Sequence, residues 1–330
     1  MNKNIKIIVN YVVGPVVFVL LSYFIYREMI RQPNWRGSLD QVYKALTGPL
    51  QWRLWLVVAL MPLNWGIEAR KWQLALQPAG GISFRNAFKA VLTGTTLGSF
   101  TPNRMGEYLG RILYVEEGRR VAAISLTFVC SISQLMITLL SGLGGLLYLV
   151  YGYHPKEAVI PGQGIVWLKA LLLAVVLLLI ALSVLYWKLP RILIFLKGMP
   201  KLTRYAGFLK NLENFHAAIL LRILFLSFGR YIVFMVQYGL LFPVFGIFLG
   251  IGEVWSGMSV VFLVMAIIPS FTFLTELGLR WETSIGVLEL FTQNAVGIFA
   301  TSFAIWVINL IIPALIGSLL IVGIKLFRSR

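Results

Sequence analysis

Cysteine occurs once in the 330 residues, at Cys130, and histidine twice, at His154 and His216. A single thiol excludes an intrachain disulfide. The histidines fall in separate polar stretches, and no HExxH, paired CxxC or DxD pattern occurs, so no classical metal site and no cofactor are expected. Charge is scarce too. Only 12% of the residues are Asp, Glu, Lys or Arg, against about 25% in a soluble domain. So few charges cannot cover a water-facing surface, which excludes a soluble globular protein. Acids are the scarcer sign, 12 against 29 basic residues, a net charge of +17. In a soluble chain that excess would suggest nucleic acid. Here the basic residues sit between apolar runs, as topology signals and contacts for anionic headgroups, so no nucleic-acid partner is expected.

What is abundant is apolar: 59% of residues are hydrophobic, and 30 more are Gly. Ile7–Tyr26 follows Lys3 and Lys6 and has about the 20 residues a bilayer core demands; without a small-residue cleavage site after it, it reads as a first span. Leu39, Val42, Tyr43 and Leu46 recur at helical spacing, as in an amphipathic surface helix. Further spans read from Trp52 to about Leu76, Val121 to Tyr151, Ile165 to Trp187, Ala217 to Leu241 and Val296 to Ile324.

Two stretches do not read as simple spans. Residues 84–111 begin amphipathically, turn small and polar through Thr93–Pro102, and resume as a charged segment. Residues 254–290 break at Pro269-Ser270-Phe271-Thr272. Ser99-Phe100-Thr101 recurs as Ser270-Phe271-Thr272, each beside a proline and before a charged helix, and each after a span bearing charge (Glu68 and Arg70, then Arg222 and Arg230). Both read as re-entrant hairpins, and inverted repeats with broken helices are a transporter signature. The expected fold is an all-α polytopic membrane protein. It is a single transmembrane domain over 1–330, with about six full spans and two re-entrant hairpins. The repeat halves are about 52–151 and 217–324. The basic stretch 188–216 is read as a cytoplasmic loop facing anionic headgroups. It places both termini in the cytoplasm and residues 152–164 and 243–253 outside, although Arg27, Arg31, Arg36, Lys44 and Arg53 then run against the positive-inside rule.

The chemistry-bearing residues cluster at the breaks. Thr101-Pro102 fits a helix start, with Thr as N-cap and Pro at the first position. Arg104, Glu107 and Arg111 follow on one face. Gly94/Gly98 and Gly106/Gly110 are GxxxG pairs that allow backbones to approach. Glu276 and Arg280 are spaced for an intrahelical pair. Arg230 lies about 20 Å into its span at 1.5 Å per residue, where a charge is by default functional; its expected partner is Glu276, Glu107 or a substrate anion. Arg222, Arg70 and Lys71 lie near span ends and are expected to snorkel. Gln134 and Asn309 are read as helix–helix contacts, and Gly142-Leu143-Gly144-Gly145 as packing. The substrate-binding set is thus Arg104, Glu107, Arg111, Arg230, Glu276 and Arg280, with Thr101, Asn103, Glu68 and Arg70 secondary.

Through Pro102-Asn103-Arg104-Met105-Gly106-Glu107 and Arg111, the chain resembles the transmembrane-region family of lysylphosphatidylglycerol synthases, also called flippase-like proteins. Asn103 stands where that motif carries Gly, and Pro269 through Glu276-Leu277-Gly278-Leu279-Arg280 resembles its second-half motif. The resemblance implies a multi-pass protein of the bacterial cytoplasmic (inner) membrane, related to a lipid-translocating module. The aminoacyl-transferase domain fused to that module in such synthases has no counterpart after the last span, so transferase activity is not expected. The function expected is translocation of a phosphate-bearing or aminoacylated anionic lipid, a phospholipid or polyprenyl phosphate, with Glu107 and Glu276 keeping the empty site near neutral. An integral-membrane enzyme acting on a lipid-linked substrate and a non-transporting partner of a separate lipid synthase are the alternatives. No catalytic or nucleotide-binding motif supports the enzyme.

Overall fold

The structure is a computed structural model that describes residues 23, 43–45, 47–152, 162–197, 217–268 and 273–322. The first apolar run 7–26, most of the amphipathic stretch, residues 198–216, the basic C-terminus and the Ser270-Phe271-Thr272 recurrence lie outside the described residues. The described residues form helices and turns with no strand. They are α1 (Gln51–Ala75), α2 (Phe84–Gly98), α3 (Gly106–Ile112), α4 (Arg120–Leu147), α5 (Gly162–Lys197), α6 (Ala217–Val244), α7 (Ile251–Ile267), α8 (Phe273–Leu288), α9 (Ala295–Trp306) and α10 (Ile312–Val322).

Among the described residues four runs are long and apolar enough to cross a membrane: Glu117–Gly152, Leu168–Lys188, Ala217–Val244 and Ala295–Ile321. They correspond to four of the spans read from sequence. Within α5, Leu173, Leu177, Leu178, Ile180 and Val184 all point outward. An apolar helix with so little protein around it is solvated by lipid. The chain is therefore an all-α, membrane-embedded protein. α1 has the length of a span but carries Arg53, Glu68, Arg70 and Lys71. The basic stretch after Trp187 does not begin as a loop: α5 continues helically to Lys197, because no residue there except Pro190 disfavours a helix.

The two odd regions fold as helix–break–helix. α2 starts at Ser83, whose hydroxyl accepts from Asn86 N–H at 3.3 Å, and ends at a turn. α3 then runs back along it, pairing Gly94 with Gly110 and Gly98 with Glu107. The approach is so close that a Cβ at Gly110 would lie 2.5 Å from Gly94 Cα. This is what the two GxxxG pairs encode. α7 and α8 fold back in the same way, with Gly257 under Leu288 and Phe291.

The core brings the hairpins together across the chain. α1 packs antiparallel along α6, and the Gln237 amide donates to Val57 C=O at 3.0 Å. α2 packs on α10, where a side chain at Gly317 would strike Leu92 C=O and Thr96 Oγ1 donates to Ala314 C=O at 2.7 Å. α7 packs on α4, over Gly142 and Gly145. Each hairpin's first helix thus lies on glycines of a long helix from the other end of the chain. The Gly142–Gly145 segment packs, as its composition suggests.

The last span is not one regular helix. Residues Val307–Ile311 widen into a π-turn before α10. Pro313 is the reason: its ring crowds the carbonyl four residues back, that of Asn309, and the wider turn relieves the clash.

Candidate functional site

Buried charge gathers where α1, α3, α6 and α8 meet. Glu68 on α1 is its hub. Its carboxylate takes Lys71 Nζ at 2.7 Å, an Arg111 guanidinium nitrogen at 2.9 Å and an Arg230 guanidinium nitrogen at 3.0 Å. Arg230 Nε also donates to Asn64 Oδ1 at 2.8 Å, and its guanidinium lies over the rings of Trp65 and Phe234. Glu107 on α3 bridges Arg104 at 2.7 Å and Arg111 at 3.5 Å. Arg280 on α8 pairs with Glu276 at 3.0 Å and donates to the Tyr238 hydroxyl at 3.0 Å.

Several sequence readings are corrected here. Arg230 does not pair with Glu276 or Glu107; α1 packs along α6 and presents Glu68 and Asn64 to it instead. Lys71 does not snorkel. It is 1% exposed, held by Glu68 one turn away and by Gln134 Oε1 at 3.4 Å. Of the charges read before the two breaks, Glu68 is buried, but Arg70 and Arg222 are exposed. Arg70 donates to Gln73, away from the cluster. Gln134 and Asn309 join helices: Gln134 donates to Ser227 C=O at 3.4 Å and Asn309 to Gln237 Oε1 at 3.0 Å. The cluster is also not balanced. Lys71, Arg104, Arg111, Arg230 and Arg280 face Glu68, Glu107 and Glu276, which is 5 − 3 = +2 rather than near neutral.

A short 3-10 turn, Pro102–Arg104, begins after Thr101 as expected, but the α-helix does not start there. Asn103 and Arg104 both take left-handed backbone conformations, with φ of 50° and 56°, and α3 begins only at Gly106. Outside glycine, Asn is among the few residues that enter this region routinely, so Asn103 suits a position that the resembled motif fills with Gly. Its side chain is exposed. Arg104 carries the backbone cost, and such outliers persist where surrounding contacts over-determine them; the Glu107 pair is one such contact. Thr101 still caps, but at a distance. Its hydroxyl accepts from Gly106 N–H at 2.6 Å, so that N–H is not free for a ligand.

Arg104, Arg230, Glu276 and Arg280 line one small cavity of ≈ 40 Å³ together with Trp65, Phe234 and Asn309. Glu107 and Arg111 do not line it; they join it through Arg104 and Glu68. Lining residues Trp65, Arg104 and Arg280 carry buried donors (Nε1, Nε and Nε) with no hydrogen-bond partner among the described residues, against one such acceptor, Asn309 Oδ1. Asn64, Trp65 and Tyr238 are cluster residues that the sequence reading missed. The first two had a signal: with Glu68 and Lys71 they recur at helical spacing on one face of α1. Tyr238 had none, because its role depends on where α8 docks.

The site is thus a buried, donor-rich, positively charged junction inside an all-α membrane protein. No protein-family model matches the chain, and no curated protein matches it.

Proposed function

We propose that this protein is a lipid translocase, moving a phosphate-bearing lipid across the bacterial cytoplasmic membrane with the headgroup passing through the charged junction and the acyl chains staying in lipid. The observation that carries this reading is the surplus of cations, Arg104, Arg230 and Arg280 against Glu276, on a small cavity whose lining residues also carry unpaired donors. Burying unpaired charge is expensive, and a surplus of one sign is tolerable where a counter-charge visits. Arginine pairs with phosphate in bidentate fashion, and a phosphate cannot cross hydrocarbon without such partners.

The architecture supports the same reading. α2 and α3 would be a re-entrant hairpin dipping from the cytoplasm, and α7 and α8 a second dipping from outside. With six full spans these make an inverted repeat of halves 52–151 and 217–324, with both termini cytoplasmic and 188–216 facing anionic headgroups. Each hairpin lying on glycines of the opposite half is the arrangement such a repeat would give. Two related halves meeting at one site let access alternate between leaflets. The enzyme alternative is not favoured, since Glu107 and Glu276, the carboxylate pair read for it, are both paired with arginines.

The test is a proteoliposome assay with labelled anionic phospholipids and polyprenyl phosphates. Wild-type protein is expected to move a phosphate-bearing lipid between leaflets, and Arg104→Ala to abolish this with expression near normal. Chemical modification of the lipid without movement would replace this reading with the enzyme.

A further inference from the structure

We infer that the cavity is built for the terminal phosphoryl group of a phosphomonoester, a dianion, rather than for the singly charged phosphodiester of ordinary phospholipids. This deepens the translocase reading and rests on it for the lipid that carries the group. Three independent features agree on the dianion.

The first is charge. Among the described residues the ionisable groups at the junction are Glu68 and Lys71 from α1, Arg104, Glu107 and Arg111 from the first hairpin, the Cys130 thiol from α4, Arg230 and Tyr238 from α6, and Glu276 and Arg280 from α8. With carboxylates and cations ionised and the phenol and thiol neutral they sum to +2. A phosphodiester would leave one positive charge of the junction without a counter-charge. A phosphomonoester carries up to two negative charges above its second pKa of about 6 and closes the count.

The second is the donor set. Trp65 Nε1, Arg104 Nε and Arg280 Nε are three buried donors without a partner among the described residues, carried by cavity-lining residues from three different segments. Trp65 is 3% exposed, so bulk water does not serve its N–H. A phosphomonoester presents three terminal acceptor oxygens; a diester presents two, the others being bonded to carbon. The third is size. At ≈ 40 Å³ the cavity has room for about three water-sized groups. That suits a bare phosphoryl end and not a phosphate with a glycerol or sugar beyond it.

The test uses the full chain in nanodiscs of zwitterionic lipid. Phosphatidic acid and phosphatidylglycerol with the same acyl chains are titrated at pH 8 and pH 5, and binding is read by native mass spectrometry and by thermal shift. Phosphatidic acid is expected to bind at least about tenfold more tightly at pH 8, with that advantage falling to about twofold at pH 5 as the monoester loses its second charge. Arg280→Gln should remove most of the preference. Trp65→Phe keeps the ring and the fold and removes only the N–H, and should lower phosphatidic acid binding severalfold while leaving phosphatidylglycerol unchanged. Equal affinity for the two lipids at pH 8, or a preference untouched by Trp65→Phe, overturns the inference. Inorganic phosphate is the separating arm. If millimolar phosphate displaces phosphatidic acid as well as the lipid itself does, the dianion site stands and the lipid reading falls. If proteoliposomes carry phosphatidylglycerol as fast as phosphatidic acid, the translocase reading stands and the dianion falls.

Discussion

The two hairpins have the same outline and are held by different forces. In the first, α2 and α3 touch backbone to backbone through glycine, and the charges on α3 reach outward to Glu68 on another helix. In the second, Gly278 and Gly286 on α8 would meet nothing within 4 Å if given a side chain, and Glu276 and Arg280 satisfy each other within one turn. The Glu276–Arg280 pair is therefore neutral in itself, and the positive surplus comes from Arg104 in the first break and Arg230 on α6. The first hairpin is thus tied to the rest of the molecule through ion pairs, and the second through the neutral Tyr238 hydroxyl and apolar packing.

Removing the hub should show this most strongly. Glu68→Gln strands three buried cations and is expected to cost about 3–5 kcal/mol, the usual penalty for breaking a buried pair. Glu276→Gln leaves Arg280 its Tyr238 hydroxyl and should cost about 1–3 kcal/mol. Unfolding in mixed micelles measures both, and equal losses would dissolve the distinction. The glycines come next. Gly110→Ala drives a Cβ into the Gly94 backbone and should destabilise by about 1–3 kcal/mol or more. Gly278→Ala and Gly286→Ala should be neutral or gain up to about 1 kcal/mol in helix propensity. Thermal aggregation of the three variants in one detergent would rank them, and a gain at Gly110 would refute the close hairpin.

Smaller effects sharpen the picture of the first break. Thr101→Val loses the acceptor of Gly106 N–H and should cost about 1 kcal/mol, seen as a lowered Tm. Asn103→Gly relieves a left-handed backbone and should raise stability by about 1 kcal/mol. A fall in Tm for Asn103→Gly would mean that the amide side chain, not the backbone angle, matters at that position.

Local chemistry made much of this legible. The scarcity of charge and the long apolar runs determine, with no structure at all, that lipid must solvate the chain, because water cannot cover such a surface. Helical spacing alone places Glu276 beside Arg280 and Glu107 beside Arg111, and the GxxxG pairs announce a close hairpin. Pairings between helices are a different matter. Nothing in the order of residues says that Arg230 meets Glu68, that Lys71 turns inward, or that Tyr238 reaches Arg280. Each depends on which face of α1 packs on α6 and on where α8 docks, and many dockings satisfy the same apolar pattern. The surplus of two positive charges is likewise a property of the assembled junction. The sequence shows the individual charges, but only the tertiary structure decides which of them share one dry volume and must be balanced there.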